Sequence, residues 1–157
     1  AVGSCVEYRM GGHVENPFQM EVIETWHDDC QGSKRGKNKI HIISADGIRI
    51  AHFGDLGCRL TDQQVKQLGS LAAVMFPVGG IYTLDALQAK QELDRLNPTV
   101  ILPMHYRGET FGFPELGELD VFLSLYDKAL VKRYKGHDIE ILRNNEKQIA
   151  VLLPRQA

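Results

Sequence analysis

The alternation of apolar and polar residues marks the first third of the chain as sheet. Residues 20–26, Met-Glu-Val-Ile-Glu-Thr-Trp, are β-rich and half alternating, and predict a strand. Residues 39–44 are rich in β-branched side chains and predict a second strand, and residues 48–53 a third. Asp46-Gly47 between these last two favours a two-residue hairpin turn. A polar, basic loop over residues 31–38 separates the first strand from the second. A short strand is expected ahead of them all, over residues 5–10, closed by Gly11-Gly12.

The period then changes. Residues 61–68 predict a helix with Thr61 as N-cap, and residues 71–77 form a short continuous apolar run that suits a buried strand. Leu84, Leu87, Leu93 and Leu96 give residues 83–96 one apolar helical face, which Asn97-Pro98 terminates. Residues 99–102 predict another buried strand, running into Pro103-Met104-His105-Tyr106. Strand and helix in alternation imply a βαβ-type layer with functional loops at the strand ends. Residues 107–117, rich in Gly, Pro and Phe, read as a lid or rim. Residues 118–128 carry Leu119, Phe122, Leu123 and Tyr126 at helical spacing, a core face, and residues 131–134, 139–142 and 148–153 predict terminal strands. A single α/β domain over residues 1–157 is expected, without internal repeats.

Composition narrows the partners. A chain of 157 residues with 43% hydrophobic and 24% charged residues can bury a core. A net charge of -2 without a basic stripe argues against nucleic acid and anionic membrane. No apolar run is long enough to span a bilayer, and the first residues lack the pattern of a signal peptide. Cys5, Cys30 and Cys58 are widely spaced and form no CxxC pair, which argues against a disulfide framework or a thiolate zinc knuckle. A reducing, cytoplasmic compartment is the expectation.

The candidate chemistry sits at strand ends. The third strand runs into His52-Phe53-Gly54-Asp55-Leu56-Gly57, a carboxylate between glycines that permit a sharp turn and close approach of a ligand. A plain Gly-Asp turn reads the same residues equally well. Two further strands end in a histidine, His27 after Trp26 and His105 after Met104. Two imidazoles and a carboxylate suit zinc or another borderline cation, although a lone histidine after a strand is more often an ordinary turn residue. Their separations in sequence are large, so only the fold could bring them together.

Three segments together carry a resemblance: His52-Phe53-Gly54-Asp55-Leu56-Gly57, then Phe76-Pro77-Val78-Gly79-Gly80-Ile81-Tyr82-Thr83-Leu84-Asp85, then Leu102-Pro103-Met104-His105-Tyr106. They resemble, in order, the metallo-β-lactamase superfamily, and more closely its Zn-dependent hydrolases related to ascorbate-6-phosphate lactonase. The resemblance implies an αββα sandwich. It implies Asp55 as a carboxylate bridging two metals, zinc or manganese, with His105 on one and His27 on the other, and His52 orienting the Asp55 loop. Tyr106 and Arg107 would contact a small-molecule substrate, and Lys34, Arg35 and Lys37 would line the mouth, a solvated basic loop being the plainer reading.

The family's His-x-His-x-Asp-His signature is absent from these residues, and Cys58 stands where related sequences often have His. The expectation is therefore the C-terminal portion of such a fold, with an incomplete metal site. Two functions follow. One is a metal-dependent hydrolase acting through a metal-activated water. The other is a non-catalytic remnant that binds a partner, either a second copy or the missing N-terminal half, through an uncovered sheet face.

Overall fold

The structure is a computed structural model and describes residues 18–154. The expected strand over residues 5–10 lies outside the described residues. Seven strands form one sheet: β1 (Gln19–Trp26), β2 (Lys37–Ala45), β3 (Ile48–His52), β4 (Ala73–Pro77), β5 (Val100–Met104), β6 (Val131–Arg133) and β7 (Gln148–Val151). Their order is β1-β2-β3-β4-β5-β7-β6. β1, β2 and β3 pair antiparallel, and every pairing from β3 onward is parallel. Ala45 and Ile48 close the predicted hairpin, and Asp46 and Gly47 both take positive φ, as a turn matching strand twist requires.

The helices α1 (Asp62–Leu68), α2 (Ala86–Leu96) and α3 (Leu119–Leu123) bury their apolar residues in one cluster with the Ile23, Ile40, Ile42, Ala51, Val74, Phe76, Ile101 and Ile149 face of the sheet. Alternate residues, among them Ile50, Ala73, Met75, Val100 and Ala150, form a second, smaller cluster on the other face, covered in part by Tyr134, Ile139 and Ile141. On the β1–β2 side of that second face Met20, Val22 and Ile43 are exposed, Met20 at 69%. α1 starts at the expected cap: Thr61 accepts the Gln64 amide N–H while the Gln64 side chain accepts that of Thr61.

Three boundaries differ from the periodicity. α2 starts at Ala86, because Asp85 forms a capping box with Gln88, and Leu84 instead sends its N–H to Leu56 O at 3.0 Å. Leu87 is consequently exposed, and Ala89, Leu93 and Leu96 make the buried face. α3 ends at Leu123 rather than 128. Leu125 and Tyr126 turn tightly onto Phe122 and Leu123, and the Asp127 carboxylate caps the next short turn by accepting the Ala129 N–H at 2.9 Å. Residues 139–142 are not a strand. β6 pairs directly with β7, so that sheet position is taken, while Asn145 Oδ1 accepts the Leu142 N–H at 2.6 Å in a turn.

Candidate metal centre

Strand direction decides where the candidate residues fall. β1 and β3 run the same way, because both are antiparallel to β2, and β4 and β5 continue parallel to β3. The C-terminal ends of β1, β3 and β5 therefore share one edge of the sheet, and His27, Asp55 and His105 follow those three ends.

At that edge His105 Nδ1 lies 3.1 Å from Asp55 Oδ1, and His27 Nε2 lies 4.0 Å from Asp55 Oδ2. The Asp55 carboxylate thus stands between two imidazoles. His27 Nε2 is buried and has no hydrogen-bond partner. A buried nitrogen without a partner costs free energy that a ligand on it would recover. Among the described residues no group of three or more His, Cys, Asp and Glu side chains is placed to hold a metal ion as it stands; this trio meets only pairwise, through Asp55. An orphaned imidazole nitrogen beside a carboxylate and a second imidazole fits a borderline divalent cation. Burial pushes the His105 imidazole below the ordinary histidine range; Asp55 opposes this and His27 adds to it. The neutral ring, the form that can ligate, is thereby favoured.

The backbone around the trio is held tightly. His105 takes φ 55, left-handed for a residue with a Cβ, and Val78 N–H holds Met104 O at 3.0 Å just before it. A Cβ at position 79 would sit 1.9 Å from His105 O, so only glycine lets the β4 loop pass. A Cβ at position 57 would likewise meet His27 O at 2.3 Å, and Gly57 N–H donates to Trp26 O at 3.0 Å. His52 Nδ1 accepts the Gly54 N–H at 3.0 Å, so His52 braces the turn that carries Asp55. Burial, His105 and His41 together lower its affinity for a proton, against a smaller opposing pull from Asp55.

Two residues that the sequence reading passed over do most of the positioning. Asn38 is buried, donates through Nδ2 to Thr25 Oγ1 at 2.8 Å and Phe53 O at 2.9 Å, and accepts the Asp55 N–H on Oδ1 at 2.9 Å. It ties β1, β2 and the Asp55 turn together. Asp28, only 2% exposed, accepts backbone N–H groups from Cys30, Gly32, Lys34 and Arg35 at 2.7–3.0 Å. Burial pushes the Asp28 carboxyl up, but the four N–H donors outweigh it and bring it down to about 2. Asp28 thus winds residues 28–36 into a closed loop, whose Gly36 O accepts the His27 N–H at 3.1 Å. In sequence both read as polar loop residues, and only the strand register, with Thr25 opposite Asn38, exposes the role of Asn38.

The remaining candidates are engaged locally. Tyr106 is half-buried with its ring edge-on to Phe111 at 5.7 Å, and burial raises its hydroxyl pKa. Arg107 donates to Leu116 O at 3.2 Å and to Glu118 Oε1 at 2.5 Å, which folds the 107–118 loop on itself. Lys34 pairs with Asp29 at 3.6 Å and Lys37 with Glu24 at 3.5 Å. Arg35 instead lies over the Tyr82 ring, 5.4 Å from its centroid. Cys58 is a free, partly buried thiol packed against the core, with its pKa raised by burial.

Comparison with known proteins places this architecture. The profile described as "Beta-lactamase superfamily domain" matches residues 7–105. A UPF0173 metal-dependent hydrolase of Archaeoglobus fulgidus is 30% identical over 140 residues, covering 85% of this chain and 57% of that protein. One from Hyperthermus butylicus is 28% identical over 108 residues, covering 67% and 47%. The chain thus spans about half the length of these curated relatives. A Thermotoga maritima crystal structure, assigned to the Zn-dependent hydrolases of the metallo-β-lactamase superfamily, superposes with TM-score 0.74 at 35% identity, over 94% of this chain and 71% of that one. A metallo hydrolase of Ignicoccus hospitalis shares the fold at TM-score 0.59 and 19% identity, over 96% of this chain and 58% of that one.

Proposed function

The chain belongs to the metallo-β-lactamase superfamily, and from that premise we propose that it contributes part of the centre of a metal-dependent hydrolase, with zinc as the metal. Manganese is the alternative ion. The carrying observation is the buried, unpartnered Nε2 of His27 beside an Asp55 carboxylate that already meets His105. His27, Asp55 and His105 would hold the metal, the Asp55 carboxylate standing within 3.1 Å of His105 and 4.0 Å of His27. The bound metal would supply Lewis acidity and an activated water for attack on a carbonyl or phosphoryl group. The chain's own residues orient: Asn38 and His52 fix the Asp55 turn, Gly57 and Gly79 let the His27 and His105 loops close on it, and Asp28 keeps His27 in place. Substrate contact by Arg107 would compete with its pairing to Glu118. The test is metal content of the purified chain by mass spectrometry, with zinc and manganese titrations of the wild type and Asp55→Ala. Stoichiometric metal lost in Asp55→Ala is expected, and equal retention by both proteins overturns the assignment of Asp55.

A second reading is a half-domain that works by binding another polypeptide, a second copy or an N-terminal half. The exposed Met20, Val22 and Ile43 on the helix-free face favour it, because apolar residues grouped on one sheet face mark an interface. The free thiols of Cys30 and Cys58 fit a reducing, cytoplasmic setting. Among the described residues no helix is long and apolar enough to cross a membrane.

A further inference from the structure

We propose that Arg35 and Tyr82 form an anion-binding subsite beside the Asp55 centre, taking small organic anions with a carboxylate or phosphate monoester head on a flat apolar body. Its catalytic meaning rests on the metal-hydrolase reading, while its binding does not.

Arg35 is placed by its backbone. Its N–H donates to Asp28 Oδ2 at 2.7 Å, and the carbonyl of the next residue, Gly36, accepts the His27 N–H at 3.1 Å. The guanidinium therefore starts from a point fixed relative to His27. Tyr82 arrives from a different loop, the turn after β4. Gly79 in that turn abuts the His105 carbonyl, and Leu84 N–H ties the turn to Leu56 O at 3.0 Å, next to Asp55. Two loops anchored to different members of the trio thus meet where the guanidinium lies 5.4 Å from the Tyr82 centroid.

Charge points to the ligand. The neighbouring Lys34 and Lys37 are each paired with a carboxylate. Among the described residues Arg35 has no carboxylate partner, and no hydrogen bond engages its side-chain donors. A guanidinium held near a ring and without a hydrogen bond of its own keeps its planar fork of N–H donors available, and that fork matches a carboxylate or phosphate in two contacts. The apolar side of the subsite is also present. Tyr82 is exposed, and Ile81, 56% exposed, holds φ 61, a conformation costly for a β-branched residue. Tyr82 N–H bonds Gly80 O at 2.7 Å in the same turn. Such strain persists where surrounding contacts enforce it, and here it keeps two apolar side chains at the mouth instead of in the core.

The test uses the full chain, both EDTA-treated and zinc-loaded, with zinc stoichiometry measured on every sample. Phenyl phosphate and benzoate are titrated as probes, with benzyl alcohol as the neutral control. Binding is followed by calorimetry and by the emission of Trp26, the only tryptophan, whose ring packs against Gly32 in the Arg35 loop. At least one anion binds the wild type and the alcohol does not. Arg35→Ala weakens that binding about tenfold or more, as expected for the loss of one charge-assisted two-point contact. Arg35→Lys falls between, Tyr82→Ala weakens binding, and zinc stoichiometry is unchanged by all three. The preferred probe separates phosphate from carboxylate recognition. Equal anion affinity in wild type and Arg35→Ala overturns the subsite, and so does absence of binding to the wild type in both metal states. Arg35-dependent binding in a chain that takes up no zinc leaves the subsite standing and rejects the metal reading.

Discussion

Asn38→Ala is the most informative single perturbation of this protein. The substitution removes one side-chain amide that makes three hydrogen bonds, to Thr25 Oγ1, Phe53 O and the Asp55 N–H, all at 2.8–2.9 Å. Thr25 is 2% exposed and Phe53 fully buried, so water cannot readily replace the lost partners. With about 1 kcal/mol net for each bond, and more for any group left buried and unpaired, the loss is about 3 kcal/mol. That is a large share of an ordinary domain's stability of about 5–15 kcal/mol. Urea unfolding followed by Trp26 emission measures it as a lower midpoint with an unchanged slope. The second consequence is local. Without the Oδ1 acceptor the Asp55 N–H is free, and the turn loses its tie to β2. Metal affinity should therefore fall together with stability, whereas Asn38→Asp, which keeps an acceptor for the Asp55 N–H but turns a second acceptor onto Phe53 O, should hold the turn better than Asn38→Ala without recovering the stability. A loss below about 1 kcal/mol, with metal affinity unmoved, would refute the reasoning that Asn38 sets the Asp55 turn.

Two further predictions follow from the same edge. Gly79→Ala would place a Cβ 1.9 Å from His105 O, so it should displace His105 and abolish metal uptake in whatever fraction still folds, read by circular dichroism and metal content together. The folded-state pKa of Asp28 is depressed to about 2 from the usual 3.8, so its contribution is fully present above about pH 4 and is lost as pH falls through 2. Trp26 emission should therefore report the 28–36 loop loosening in that acid window, and Asp28→Asn should remove the dependence.

Much of the architecture could be read from the chain because each segment's period matched its final environment. β2 alternates cleanly, with Ile40 and Ile42 buried and Lys39 and His41 exposed, and β4 is buried throughout, so both gave plain signals. The trio was legible as strand-terminal residues, and the motif order supplied the family. What could not be read depends on register or on local competition. Asn38 and Asp28 are polar residues in a polar stretch, and nothing in their neighbours says that one will be buried against Phe53 O and the other ringed by four amides. The predicted helix over residues 118–128 carried a sound apolar face, yet the Asp127 side chain capped a new turn and ended it early. Ile139 and Ile141 were apolar enough for a strand, but β6 had already occupied the place beside β7.

The shared direction of β1, β3, β4 and β5 also divides the loops into two kinds with different tolerance to change. Residues 27–36, 53–61, 78–85 and 105–118 leave the candidate edge, whereas residues 46–47, 69–72 and 97–99 only return the chain at the other. A combinatorial library belongs at the exposed positions of the first group, clear of Asp28, Gly57, Gly79 and the buried Leu56, Leu60 and Leu84, where it would vary the chemistry and leave the packing in place. Fluorophores, affinity tags or surface tethers belong in the second group, where an immobilised molecule would present its mouth to the solution.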